Sequence, residues 1–323
     1  MKVLFIIDRI ELKYFEFNQL VTNFWLIKGL LERGCKVHIS TIDMLKLKSA
    51  QPYADCYESY EEKNNIFYNK DSLNEFCIND FDLVMFRPDP PVDLDYINAT
   101  YILDFADKNK TFIMNDTNAV RNFNEKLHSV WFNDLMPENI VTSSFNDILN
   151  FLNEHGEIII KPLNQCFGSG VMYLKKGDKN TAVIINQMTQ KGSKAVMVQK
   201  YLDKAVYGDK RVLILGENIM PYCVQKVPSN NDFKFCEHND DNIKKAVLSD
   251  QELEKFKPVA KKLSSMGIYM AGLDVIDGKI IEINVTSPCY FIKEINKHFN
   301  CEIENKILDF ILSTVMNHLY AYK

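Results

Sequence analysis

Runs of apolar residues mark the first elements along the chain. Residues 3–7 are continuously apolar, as expected of a strand covered on both faces. Between 17 and 33, Leu20, Phe24, Ile27 and Leu31 recur at helical spacing, and Gly34 follows as a stop signal. Residues 36–42 alternate as a second strand. A third, over 81–86, runs into Arg87-Pro88-Asp89-Pro90-Pro91, where proline ends regular structure. Strand, helix and strand at this spacing predict a parallel βαβ layer, whose ligands gather beyond the carboxyl ends of the strands. Arg87 and Asp89 stand at such an end; a stiff connection carrying surface charge is the alternative.

The pattern then changes. Residues 124–137 predict a helix opened by Asn124-Glu125-Lys126, containing Trp131 and Phe132 and closed by Pro137. Segments rich in β-branched and apolar residues follow at 157–161, 171–174, 195–199, 211–215 and 219–225, several separated by glycine-bearing turns. They predict an α+β region with antiparallel strands. Residues 229–242 are polar, lack apolar periodicity and lie between regular stretches, which predicts a long surface loop or lid.

Composition narrows the function classes. The 323 residues are 46% hydrophobic and 25% charged, the mix of a globular protein large enough for several subdomains. A formal net charge of −5 gives no support to nucleic-acid binding. No apolar run reaches bilayer length, so no membrane partner is expected. The apolar start meets Asp8 too soon for a signal peptide. The eight cysteines form no C-x-x-C pair, which argues against zinc and against a disulfide framework. A cytoplasmic location is the expectation.

The densest chemistry lies in GLDVIDGKIIEINVTSP, residues 272–288. Asp277-Gly278 is a hairpin turn signal. Alternation puts Glu282 and Asn284 on one face, and the partner strand brings Asp274 within cross-strand reach. Two carboxylates and an amide oxygen make a hard donor set suited to Mg²⁺ holding nucleotide phosphates. An amphipathic hairpin with one wet face is the alternative, but Asn is a poor strand residue and these side chains sit among four aliphatic ones.

No Walker A sequence is present, so nucleotide binding needs other parts. Lys161 ends a strand just ahead of Gly168-Ser169-Gly170, a small-residue turn whose N–H groups can approach phosphate. Lys126 offers a second cation. In the 198–202 stretch, Gln199, Tyr201 and Leu202 can supply hydrogen bonds and an apolar wall to a purine. Arg211, after Asp209, can lie over a γ-phosphate. An ordinary hairpin, a solvated lysine and a core strand edge are the plain alternatives.

The order of these parts resembles the bacterial glutathione synthetase family of the ATP-grasp superfamily. The resemblance runs through 86–106, 124–142, 158–163, 198–215 and 272–288. It implies an ATP-grasp fold, α/β and α+β, with an N-terminal parallel α/β domain. The expected division is a substrate domain at 1–122, a central ATP-binding subdomain at 123–202, and a catalytic subdomain at 203–323 with its lid at 229–242. It also implies that Asp274, Glu282 and Asn284 ligate two Mg²⁺ ions, Mn²⁺ being the alternative. Lys126 and Lys161 would face phosphate; Gln199, Tyr201 and Leu202 would hold adenine; Asp209 would lie near the ribose; Arg211 would be catalytic. Arg87, Thr22 and Asn23 would line the peptide pocket. The implied substrates are ATP, γ-glutamylcysteine and glycine, joined through an acyl phosphate, and relatives are often homo-oligomers, dimers or tetramers.

Two departures stand out. Phe167 falls at or near a family glycine, and in the lid Lys234-Phe235-Cys236 replaces Arg-Gly-Asn, so Lys234 keeps the charge without the bidentate fork. They leave open a sibling ligase with another carboxylate or amine, and a nucleotide-binding protein that has lost ligation.

Overall fold

A computed structural model describes residues 1–14, 19–166, 168–228 and 242–321, without the side chains of 10 and 14. The expectations for Phe167, for Lys234 and for the lid over 229–241 fall outside these residues, as does the start of the helix expected from 17.

The first sheet contains β1 (Lys2–Ile7), β2 (Lys36–Thr41), β3 (Leu45–Lys48), β4 (Gln51–Glu62), β5 (Asn65–Tyr68), β6 (Asn74–Cys77), β7 (Leu83–Phe86) and β8 (Phe112–Met114). β1 lies between β2 and β7 and runs parallel to both, with β8 parallel beyond β7. This arrangement matches the predicted parallel layer and makes the carboxyl ends of β1 and β7 a switch-point crevice. The predicted helix is shorter than its apolar repeat, Thr22–Glu32, and a separate short helix covers Arg9–Tyr14. The antiparallel excursion β3–β6 was not evident from the apolar pattern. Its hairpin between β4 and β5 turns at Lys63 and Asn64, both with positive φ.

The helix expected over 124–137 is instead a 3₁₀ segment, Leu127–Leu135, broken at Phe132. The Asn124 side-chain oxygen accepts from the N–H groups of Lys126 and Leu127 and so holds 124–126 as a tight turn.

Two antiparallel sheets follow: β9 (Asn139–Thr142), β10 (Glu157–Pro162), β11 (Met172–Lys175) and β12 (Val196–Lys200), then β13 (Asp209–Leu215), β14 (Asn218–Lys226), β15 (Ile243–Val247), β16 (Met270–Ile276) and β17 (Lys279–Asn284). The sheet β9–β12 has a core of its own, built on Ile148, Ile158, Ile160, Ile185 and Val198. The sheet β13–β17 shares its cores with the N-terminal layer: Val212, Leu273 and Ile283 with Val84 and Phe86, and Leu213 and Met270 with Phe5 and Met85. The two antiparallel sheets face each other across a cleft, with the carboxyl ends of the N-terminal strands at one side.

Candidate active site

The hairpin β16–β17 turns at Asp277 and Gly278, with φ of 52° and 66°, as a two-residue I′ turn requires. Asp274 lies directly opposite Glu282 in its register, and Asn284 follows on the same face. Gly272 lets the neighbouring strand contribute as well: a Cβ there would stand 3.1 Å from Arg211 Cδ, so its absence leaves Arg211 room to lie across β16.

Arg211 Nε donates to Asp274 Oδ1 at 2.6 Å and Nη2 to Oδ2 at 3.2 Å. Lys226, from the end of β14, reaches Asp274 Oδ1 at 3.2 Å and Asp209 at 2.7 Å. Burial works against ionising Asp274, yet Arg211 and Lys226 hold its carboxyl well below the usual range. Burial, with Asp274 nearby, raises Asp209.

Lys126 Nζ donates to Glu282 Oε1 at 2.9 Å and to the Gln165 carbonyl at 2.6 Å. Lys161 Nζ meets only the Ile281 carbonyl, at 3.3 Å, among the described residues. Burial pulls Lys161 down to about 8, and the neighbouring Lys126 adds to that effect.

These groups line one cavity of about 440 Å³ together with Gly168, Ser169, Gln199, Tyr201 and Leu202. Gly170 is not part of the lining; its Cβ position abuts Gln165 and Pro162. The Ser169 N–H is spent inside its own turn, on the Cys166 carbonyl.

The chemistry of the open atoms tests whether ATP and a divalent metal suit the site. Among the described residues, no donor reaches Glu282 Oε2 or Asn284 Oδ1. Nor, among the described residues, does any cluster of three or more His, Cys, Asp or Glu form a complete metal cage there. Two open hard oxygens beside spare lysine donors suit a cation that arrives with phosphates, which is how Mg²⁺ is usually held. Gln199 Nε2 is buried without a partner at the apolar wall, an orphan donor that a purine acceptor would satisfy. The residues present fit the group.

Thr22, Asn23 and Arg87 come together, but none of them is among the residues lining this cavity. Arg87 Nε donates to Asn23 Oδ1 and Nη2 to the Pro288 carbonyl, while Thr22 Oγ1 accepts from the Tyr290 N–H. They brace the N-terminal layer against 286–291, leaving Arg87 Nη1 without a partner among the described residues. The sequence reading missed Lys226, Glu125, Asp8 and Glu11. A lysine closing the apolar strand β14 was the available signal for Lys226; the two acids following β1 carried none.

Paired antiparallel sheets enclosing a cleft of lysines, an arginine and a carboxylate hairpin define an ATP-grasp protein. Solved structures agree on the fold. A D-cycloserine synthetase, DcsG, matches with TM-score 0.68 at 12% identity, over 98% of this chain and 100% of its own. D-alanyl-alanine synthetase A from Vibrio cholerae O1 biovar eltor matches with TM-score 0.62 at 14% identity, over 99% of each chain. Residues 1–121 match the N-terminal domain of prokaryotic glutathione synthetase and residues 125–300 its ATP-grasp domain. Glutathione synthetase from Vibrio vulnificus strain YJ016 is 35% identical over 291 residues, 90% of this chain and 91% of that one. The Salmonella typhimurium enzyme is 33% identical over the same length. The chain belongs to the prokaryotic glutathione synthetase family. Among its described residues, no helix is long and apolar enough to cross a membrane.

Proposed function

We propose that this chain is a glutathione synthase, an ATP-dependent ligase that joins γ-glutamylcysteine to glycine. The observation that supports the site assignment best is the convergence, in one cavity, of Lys126, Lys161 and Arg211 with the open oxygens of Glu282 and Asn284. Gln199, Tyr201 and Leu202 are read as the adenine wall and Asp209 as a ribose neighbour. A divalent metal, Mg²⁺ or alternatively Mn²⁺, supplies charge neutralisation at the phosphates when bound, and Asp274, Glu282 and Asn284 would hold it.

Lys126 and Lys161 orient the triphosphate, each with spare N–H donors. The cysteinyl carboxylate of the donor attacks the γ-phosphorus, the bond to the β-bridging oxygen breaks, and ADP leaves. Arg211 stabilises the charge on the moving phosphoryl group, held for this by its bidentate grip on Asp274. The glycine amine then attacks the acyl carbon; the C–N bond forms, phosphate departs and the amine loses a proton. Arg87 Nη1 is the group left over for a donor carboxylate, with Thr22 and Asn23 fixing its plane. Lys234 is assigned to substrate from the sequence alone.

The test is ADP release by purified protein with Mg-ATP. Release that needs both γ-glutamylcysteine and glycine, with equimolar glutathione, is expected. Release with another carboxylate or amine in a panel, and none with this pair, would replace these substrates.

A further inference from the structure

The cavity is polarised, and the ligase reading explains only one end of it. Lys126, Lys161, Arg211 and Lys226 gather at the nucleotide end. At the other, Asp89 and Glu125 both line the wall, with Asp8 behind them accepting from the Asp89 N–H at 2.6 Å. Like charge repels phosphate, so this end is unsuited to the nucleotide.

Glu125 is built unusually. Its Oε1 accepts from the Val285 N–H at 2.7 Å, the Thr286 N–H at 3.0 Å and the Thr286 hydroxyl at 3.0 Å. Three donors on one oxygen fix the plane of the carboxylate. Glu125 is only 9% exposed, yet no described residue donates to Oε2. Lys126, next in the chain, points instead to Glu282 and Gln165. A brace for 285–286 needs Oε1 alone; it does not account for a second buried carboxyl oxygen left open beside Asp89. Burial, and then the charge of Asp8, raise Asp89 to about 7; Ser287 and the guanidinium of Arg87 act the other way without offsetting them, so acid remains in excess at this end.

We infer that Glu125 Oε2 and the Asp89 carboxylate form a subsite for a substrate ammonium. The inference rests on the ligase reading of the same cavity and deepens it. An ammonium brings three N–H donors and a further positive charge to an end where acids are in excess. Both proposed substrates carry one: the α-ammonium of the γ-glutamyl group, and the amine of glycine in its resting form.

Glu125→Gln is the discriminating variant. Its carbonyl can still accept the three bonds of the brace, while its amide nitrogen presents a donor where the open oxygen stood. Asp89→Asn is the second variant, should the first fail to fold. The readouts are KM values for dipeptide, glycine and ATP, and the rate with glutarylcysteine, the dipeptide lacking its α-ammonium. In either variant, the KM of one ammonium-bearing substrate should rise about tenfold or more, with the KM for ATP moving less than about twofold. A rise for the dipeptide, with its preference over glutarylcysteine collapsing, assigns the donor ammonium. A rise for glycine, with that preference intact, assigns the acceptor. Unchanged KM values for both, or all three KM values rising together, overturn the subsite. Calorimetric titration of dipeptide and glycine into the same proteins keeps the tests separate. If the wild type releases no ADP with any donor, the ligase reading fails, and binding of dipeptide and glycine unaltered by both variants overturns the subsite independently.

Discussion

On β13, β16 and β17 a buried arginine, Arg211, grips a carboxylate through two nitrogens, and a lysine closes on the same carboxylate. At the ends of β1 and β7 another buried arginine, Arg87, is hydrogen-bonded among the described residues only to an amide oxygen and a carbonyl. Burial opposes the charge in both places, but the outcome differs in direction. Asp274 raises Arg211 despite burial, while burial lowers Arg87. The carboxylates follow suit: Asp274 is depressed, whereas burial and then Asp89 push Glu11 up to about 8. The sheet β13–β17 thus neutralises its charges internally before any ligand arrives. In the N-terminal crevice Glu11 and Asp89 share the guanidinium of Arg87 and both stay raised, which leaves it able to take a further cation.

The largest expected effect tests the self-neutralised region. Arg211→Ala strands Asp274 beside Lys226 alone, and should lower kcat about 10²–10³-fold as a transition-state donor is lost. Breaking a buried pair costs about 3–5 kcal/mol, so denaturant titration should show it less stable than Arg87→Ala, whose direct hydrogen-bond partners among the described residues are neutral and whose charge acts on Glu11 and Asp89 only at longer range. Equal losses in the two variants would break the contrast.

Glu282→Gln comes next. It removes the charge facing Lys126 and an open metal-facing oxygen, and should weaken Mg-ATP binding about 10–100-fold, with turnover falling alongside. Unaltered ATP affinity and rate would remove Glu282 from the metal assignment.

In the crevice, Arg87→Ala should raise the KM for γ-glutamylcysteine about tenfold, the worth of one charge-assisted bond, with ATP affinity little changed. A dipeptide KM that stays put would make Arg87 a brace between layers and nothing more.

The smallest effect is a pH slope. Glu11 titrates near 4.5 unfolded and at about 8 folded. Between those values the folded state binds more protons, so stability should fall as pH rises through that window. Thermal melts of the ligand-free protein should therefore decline from pH 5.5 to pH 8, and Glu11→Gln should flatten that decline. A melt that rises over the same range would show the crevice to be better compensated than its geometry implies.

Legibility in the sequence followed the range of the forces involved. Asp274, Glu282 and Asn284 could be placed on one face because strand alternation and the Asp277-Gly278 turn are local, and the register pairs Asp274 with Glu282 despite a shift that leaves Ile281 unpaired. The parallel layer was legible for the same reason: β1 is buried on both faces, and its apolar run says so. The 3₁₀ segment at Leu127–Leu135 was misread as a longer helix because Asn124 caps a tight turn that apolar spacing does not reveal.

Glu125 lies 160 residues from the N–H group it holds at Val285, and Arg87 lies 201 from the Pro288 carbonyl. No periodicity records such pairings. The sequence by itself determined the elements, the faces they present and the kinds of atom they carry. Only the tertiary structure decided which of those atoms are paired and which are left open, because the burial and partner of a charge depend on chain segments that meet only in the folded state.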